Sequence, residues 1–574
     1  MGLIGILFAI IVILMIADFR SGVHITFSIE SGYYDDVTEL KIFGGGHRGN
    51  RICYTLDGSE PKVDSNLYDP NTPIILTDAT LKENVYSMRT DVSTAFQYDL
   101  VDRYSTSNPG YTVPNHGVDK CNVVRASVFD KKGQCLDTIT GVYFIGFQNK
   151  SGYDEIYTAS IVTDPDNLFD YETGIYTTGI TFDNIKERIP ELEDENNTLD
   201  WWYPYWWWWA SNYSNGGMEW EREAGVTIFD ENKKIILSED CGIRIQGGGS
   251  RGKLPKSIGC YAREIYGGSS EFKTDLFGIN QYPHKFIFFS GGDDNTFKLK
   301  DYMANTMEQE LSFATMDFIP CAVFLDGEYW GIYYITENYN SDYISDHYHV
   351  KEDNVILMKN GELAEGNEAD TELFAEVIEF ISSNDMSLEE NYEQACRLID
   401  MDSYIDYYAA QIYIARDNDW PQGNYAVWRT RKNDGSAYGD CRWRWMLFDV
   451  NSGGLSIDRA EADTLLRTLT IDSAFCSLYF NSEFRVKFAE RILYIGKEIY
   501  SEENCQIFFD RYSDKMKEQI GISNLRFYND AKTDIFDENV ENTRLFFQRR
   551  YDIVWNLLVN NMGEAWLIQN GIQK

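Results

Sequence analysis

The sequence predicts a multidomain protein in which an all-β sandwich precedes a larger α+β domain. Two patterns carry this expectation. From His24 to Phe147 short apolar runs alternate with polar residues and are broken by turn residues, with little helical signal. From Gly225 onward strand-like runs come first and helical periodicity then takes over. At 574 residues the chain is long enough for two or three domains, each burying its own core.

The elements follow in order. Leu3 to Ala17 is an unbroken apolar run closed by Asp18 and Arg20. It is shorter than the roughly 18 to 20 residues of a spanning helix and closer to a secretory apolar region. Residues 1–21 read as a signal-anchor or uncleaved signal, with a buried amino-terminal segment as the alternative. The first reading places the protein at the membrane or outside the cell.

Residues 22–147 form the expected sandwich. Its strands are Ile25–Ile29, Glu39–Phe43 before three glycines, Arg51–Thr55 and Pro73–Leu76, then a hairpin of Val123–Phe129 and Gln134–Phe144 around Lys131-Lys132-Gly133. Residues 148–570 make the second domain, with a tryptophan-rich insertion near 200–210 (Trp201, Trp202 and Trp206 to Trp209). Such a cluster can stack on sugars, sit at a membrane interface or cover a core. Strands are expected at Val226–Phe229, Ile235–Leu237, Gly242–Gln246, Lys285–Phe289, Cys321–Leu325 and Tyr333–Glu337. Helices are expected at Leu373–Ile381, Met401–Ala415, Glu483–Tyr500 and Asn542–Met562.

Composition narrows the function. A net charge of −40 opposes general binding to nucleic-acid phosphates, which depends on Lys and Arg. Disulfides are not needed for stability at this length, and the ten cysteines show no CxxC pair or His-rich partner spacing, so a zinc site is not expected.

The strongest chemical signal is Ala415 to Asn424, followed by the apolar strand Trp443–Phe448 that ends on Asp449. An acid, an amide five residues later and a second acid at a strand tip offer hard oxygen ligands to a divalent cation bound to a polyphosphate. Asp419-x4-Asn424 has the spacing of a protein-kinase catalytic loop, and Asp449-Val450-Asn451 stands where a kinase carries its metal-binding Asp. Tyr425–Thr430 and Cys441–Phe448 read as a hairpin around Lys432–Ser436, which would bring Asn424 and Asp449 to the same end. In so acidic a chain, chance proximity of an Asp and an Asn is the competing explanation.

Two resemblances extend this reading. Cys53 to Pro61, with Tyr68 and Pro73–Leu76, resembles the Ig-like carboxy-terminal β module of chitobiases and β-hexosaminidases. That implies an accessory module on a secreted, often carbohydrate-associated protein. The second resemblance is to the CotH kinase family, the spore coat protein H type of atypical kinase. It is carried by Asn212-Tyr213, Glu219–Arg222, Gly242–Arg251 with Pro255-Lys256-Ser257, Leu325–Tyr333 with Thr336-Glu337, Asn418–Pro421 and Phe448-Asp449.

This resemblance implies a two-lobed, protein-kinase-like fold, ATP, Mg or Mn, and phosphate transfer to hydroxyl groups of a protein substrate. Carried over by position, Asp419 is the catalytic-loop acid, Asn424 and Asp449 are metal ligands, and Lys256 is the cation facing the nucleotide phosphates. Gly248 and Arg251 lie in Gln246–Gly252, where glycines let backbone N–H groups approach phosphate oxygens. A glycine-rich hairpin turn with solvated charges is the plain alternative. Glu337, ending an apolar strand, is placed to orient a lysine or a metal-bound water. The chain departs from the family at Lys285–Asp293, where the Gly-Gly-Asp turn is kept and the preceding arginine is absent; Lys298 and Lys300 are left as point charges.

The functional expectation is therefore an ATP-dependent atypical protein kinase at the cell envelope. A non-catalytic surface or adhesion protein with a pseudokinase fold is the alternative. Glycan hydrolysis by paired carboxylates is a third reading that sequence leaves open.

Overall fold

The computed structural model describes residues 23–46, 49–96, 111–187, 210–294 and 296–574. The amino-terminal apolar run and the tryptophan cluster lie outside these residues. Among the described residues no helix is long and apolar enough to cross a membrane. The chain is β-rich in its amino-terminal part and α+β with many helices thereafter. It divides into two compact units. The first takes the chain up to Lys273 with Pro320–Tyr333 and Gly521–Ala531; the second takes Thr274–Ile319, Tyr334–Ile520 and Lys532–Lys574.

In the first unit the hairpin Asn122–Phe129 with Cys135–Ile145 forms the centre of a five-stranded sheet. Arg51–Thr55 and Asn66–Leu67 extend one edge, and Gly32–Tyr34 joins the other in parallel. Period-two alternation gives the sheet two apolar faces. Val124, Ala126, Val128, Tyr143 and Ile145 pack on Ile25, Leu40, Ile42, Ile74 and Leu76 from two short ribbons. The run Glu39–Phe43, expected as one strand, is split between them: Thr38–Leu40 pairs with Ile74–Leu76, and Ile42–Gly44 pairs with Ile25–Phe27.

The opposite face, Cys121, Val123, Val142 and Phe144, shares a core with Phe147, Tyr153, Val162, Phe229, Phe324 and Tyr329. Position 147 therefore falls inside a continuous apolar core. Beyond it, Tyr157–Val162 pairs antiparallel with Arg222–Phe229 and parallel with residues 321–325. Ile235–Ile245 lies between Arg222–Phe229 and Ile258–Tyr261.

In the second unit Glu362–Glu365, Val355–Lys359, Ala426–Thr430 and Arg444–Met446 form an antiparallel sheet in that order. Lys285–Phe289 pairs with residues 334–336. The helix Met401–Tyr413 is buried along nearly its whole length, because aromatic and small residues surround it on every side. It starts on Asp400, whose side chain accepts the Ser403 N–H. It ends on Arg550, fully buried, which donates to the carbonyls of Ile412 at 2.8 Å and Tyr413 at 2.8 Å. A cation on the last turn satisfies carbonyls that have no intrahelical partner.

Candidate active site

The chain leaves the helix Met401–Tyr413 through Ala415 in the left-handed region, φ 57°. That turn directs Arg416 inward, where it is fully buried. Its guanidinium donates to Gln411 Oε1 at 3.0 Å and to the Phe448 and Asp449 carbonyls at 3.3 and 2.6 Å. One cation thus fixes the end of the strand carrying Asp449 against the loop carrying Asp419. Its Nη2 also lies 3.7 Å from Asp419 Oδ1.

Asp419 closes a turn through its carbonyl, which accepts the N–H groups of Gln422 at 3.0 Å and Gly423 at 2.9 Å. Buried Trp420 anchors it. Asn424 sits at φ 53°, a conformation its short polar side chain tolerates, and donates its amide to Asp419 Oδ2. With the NH2 group spent there, its carbonyl oxygen is the ligand atom it can offer. Ala426 faces Met446 across the expected hairpin, so Asn424 and Asp449 do reach the same end.

Asp449, also left-handed at φ 52°, accepts Asn451 Nδ2 at 2.5 Å through Oδ1. The same Nδ2 donates to buried Asp301 Oδ2 at 2.8 Å, while Asp301 Oδ1 takes the Val450 N–H at 2.8 Å. Burial raises Asp449 to about 7; the carboxylates of Asp301, Asp293 and Asp419 push the same way, and Arg416 opposes them. Burial likewise raises Asp301 to about 6. Four acids therefore converge with one arginine as their counter-charge.

Asp301, Asn451 and Arg416 were not among the expected site residues. The signals were present: Arg416 sits inside the acid-amide stretch, and Asp301 follows the Gly-Gly-Asp turn. The structure ties that turn in as well, since Asp293 N–H donates to Asn451 Oδ1 at 3.3 Å. Gly292, at φ 57°, leaves no room for a Cβ, which would lie 2.8 Å from Asn451 Nδ2.

The other expected residues are placed as follows. Glu337 is buried and accepts the Asp317 N–H at 2.9 Å and His347 Nε2 at 2.6 Å, outside the Asp449 network. Lys298 is buried on the Ser290 carbonyl, and burial lowers it to about 7. Lys300 donates to the Gly453 carbonyl at 3.2 Å.

Gly248, Arg251 and Lys256 belong to the first unit, whereas Asp419, Asn424 and Asp449 belong to the second. Lys256 is fully buried: its Nζ donates to the Arg251 carbonyl at 2.5 Å and lies 3.6 Å from the Tyr213 ring centroid. Burial drives its pKa well down. Arg251 donates to the carbonyls of Gly247 at 2.6 Å, Ser214 at 3.0 Å and Asn215 at 2.9 Å. Both cations hold the glycine loop in shape. Nothing crowds Gly248, where an added Cβ would meet open space.

With this geometry in view, the family model for CotH kinase protein matches residues 243–554, more than half of the chain. The chain belongs to the CotH kinase protein family. Every site residue above lies within the matched segment. A second model, Fn3 associated, matches residues 42–143, which hold four of the five strands of the first sheet and one strand of each ribbon. That match is compatible with the expected accessory β module without making it chitobiase-type. No curated protein matches the chain.

Family membership implies a nucleotide and a divalent cation, and the CotH site fits the cation. Asp419 Oδ1 is buried with no hydrogen-bond partner among the described residues. The crowded carboxyls around Asp449 are short of positive charge. Among the described residues no three His, Cys, Asp or Glu side chains form a ready cage. Such a site suits a divalent cation held by one or two carboxylates, with its shell completed by phosphate and water.

Proposed function

We propose that this protein is an atypical kinase of two-lobed, protein-kinase-like fold that transfers phosphate from ATP to hydroxyl groups of a protein at the cell envelope. The observation that carries the reading is the meeting of Asp419, Asn424 and Asp449 at one end of the hairpin, locked by Arg416, Asp301 and Asn451.

Asp449 and the Asn424 carbonyl oxygen would hold Mg or Mn, which supplies charge neutralisation at the phosphates. The carboxylate of Asp419 orients the acceptor hydroxyl and accepts its proton. Arg416, bonded to the Asp449 carbonyl and 3.7 Å from Asp419 Oδ1, fixes the distance between the two residues. Gly248 lets the backbone of its loop come close to phosphate oxygens, and Arg251 and Lys256 keep that loop folded. The Fn3-associated module and the amino-terminal run suit attachment to an envelope or carbohydrate surface. The net charge of −40 disfavours nucleic acid.

Calorimetric titration with ATP, with and without Mg, tests the reading. Metal-dependent binding is expected. Asp449→Ala should cut turnover by about 10² to 10³-fold, the scale of one preorganised electrostatic group. Asp419→Asn should keep metal-dependent ATP binding and lose transfer. A wild-type chain that binds no nucleotide would favour the second reading, a non-catalytic surface protein. The observation on that side is Lys256, whose ammonium is enclosed by loop carbonyls and an aromatic ring.

A further inference from the structure

In the second unit, away from the acidic site, a cavity of about 420 Å³ opens between the segment Gly496–Tyr500 and the helices Glu502–Tyr528 and Asp534–Met562. Its size suits a small ligand. The segment Ile495–Ile499 is a π-helical turn, a rare form that recurs at functional sites. Gly496 is required there, because a Cβ would lie 2.6 Å from the Tyr413 ring and 2.7 Å from that of Tyr551.

The lining is chemically mixed in a directed way. Tyr500 and Phe547 stack at 4.5 Å with their planes 14° apart, and Tyr551 adds a third ring. The Cys505 thiol is held neutral by burial, which raises it to about 12. Arg544 and Gln548 supply the polar part, and Glu502 is the acid on the lining. Arg544 Nε is buried and has no acceptor among the described residues, although Nη1 lies 3.6 Å from Glu541. The side chain as a whole is 34% exposed, so the guanidinium Nη groups can donate to an acceptor that enters the cavity. Tyr500, one wall, donates at 2.7 Å to Glu308, a buried carboxyl within charge range of Arg416.

We propose that this cavity is a binding site for a planar aromatic molecule bearing an anionic acceptor group, with the ring against Phe547 and Tyr551 and the acceptor on Arg544. No part of this depends on the kinase reading.

The test uses the full chain and 8-anilinonaphthalene-1-sulfonate, an aromatic sulfonate with a planar naphthalene ring, as probe. Saturable binding with enhanced fluorescence is expected, together with slower amide hydrogen exchange over residues 495–506 and 544–551. Gln548→Trp, an exposed rim position, should fill the cavity and weaken binding at least tenfold. Arg544→Gln should weaken it about three- to tenfold with an unchanged melting temperature. Absent saturable binding, affinity unchanged in both variants, or protection confined to other segments would each overturn the proposal. Should Gln548→Trp fail to fold, Arg544→Gln and the exchange map of the parent decide the matter.

Discussion

A carboxyl buried without a cation beside it must either hold its proton or weaken the fold, and Glu308 illustrates the choice. Its Oε1 accepts from Tyr500 while Oε2 is buried without a partner, and burial raises its pKa to about 8 against the opposing pull of Tyr500 and Arg416. The folded state therefore binds a proton that the unfolded chain releases near pH 4.5, so stability is lost as pH rises from there through about 8. Glu308→Gln keeps the acceptor for Tyr500 and removes the titration. Above pH 8 the variant should be more stable than the parent by about 2 to 4 kcal/mol, and near pH 4 the difference should vanish. Urea unfolding across that range measures both arms; parallel pH profiles would refute the assignment. Glu308 also shows what a single sequence conceals. Asp419, Asn424 and Asp449 were legible because a short spacing and a strand tip bring them together locally. Asp301 and Glu308 are two acids among 91, and only tertiary burial separates them from the solvated remainder. Lys256 is the converse: its motif was legible, but the rings that enclose its ammonium come from Tyr213 and Tyr176, distant in sequence.

At the scale of elements, the loop from Asp417 to Asn424 is held by what holds the helix before it. Arg550 donates to four carbonyls: Ile412 and Tyr413 at 2.8 Å, Ala460 at 2.6 Å and Ala462 at 3.0 Å. Burial lowers its pKa only to about 10, so it stays charged at neutral pH. Arg550→Met strands these acceptors in an apolar interior and should cost about 3 to 5 kcal/mol, the range for breaking a buried charged network. Arg550→Lys should recover only part of this, because an ammonium cannot reproduce the planar fork. A fall in the urea midpoint at constant slope reports the loss, and equal midpoints for all three proteins would show the contacts to be idle. The helix itself, Met401–Tyr413, was legible from its periodicity to within two residues of the expected end at Ala415. The hairpin was legible from its turn residues and apolar flanks. The dependence of both on Arg550 was not, since the residue lies more than a hundred positions downstream in a helix whose own pattern reads as ordinary packing.

At the scale of the whole molecule, the amino-terminal module raises the question of where folding units end. Residues 22–147 were expected to fold alone, and the Fn3-associated model matches residues 42–143 within them. The two faces of its sheet meet different neighbours. One is covered by the ribbons of the module, whereas Cys121, Val123, Val142 and Phe144 pack on Tyr153, Val162, Phe229, Phe324 and Tyr329. Phe144 alone makes edge contacts with Phe229 at 5.6 Å and Phe324 at 5.0 Å. Each large side chain so buried contributes about 1.5 to 3 kcal/mol relative to exposure, and a contiguous apolar face left open promotes self-association. A fragment of residues 23–147 should therefore show β-sheet circular dichroism yet sediment as an oligomer at micromolar concentration. Phe144→Ser in that fragment should shift it toward monomer, since the side chain then has no core to lose. The same substitution in the full chain should be destabilising by about 3 kcal/mol or more, as for removal of a buried aromatic. A fragment that is already monomeric, or a full-length variant as stable as the parent, would mean that the module closes its own core and that the contacts with Phe229 and Phe324 add little to its stability.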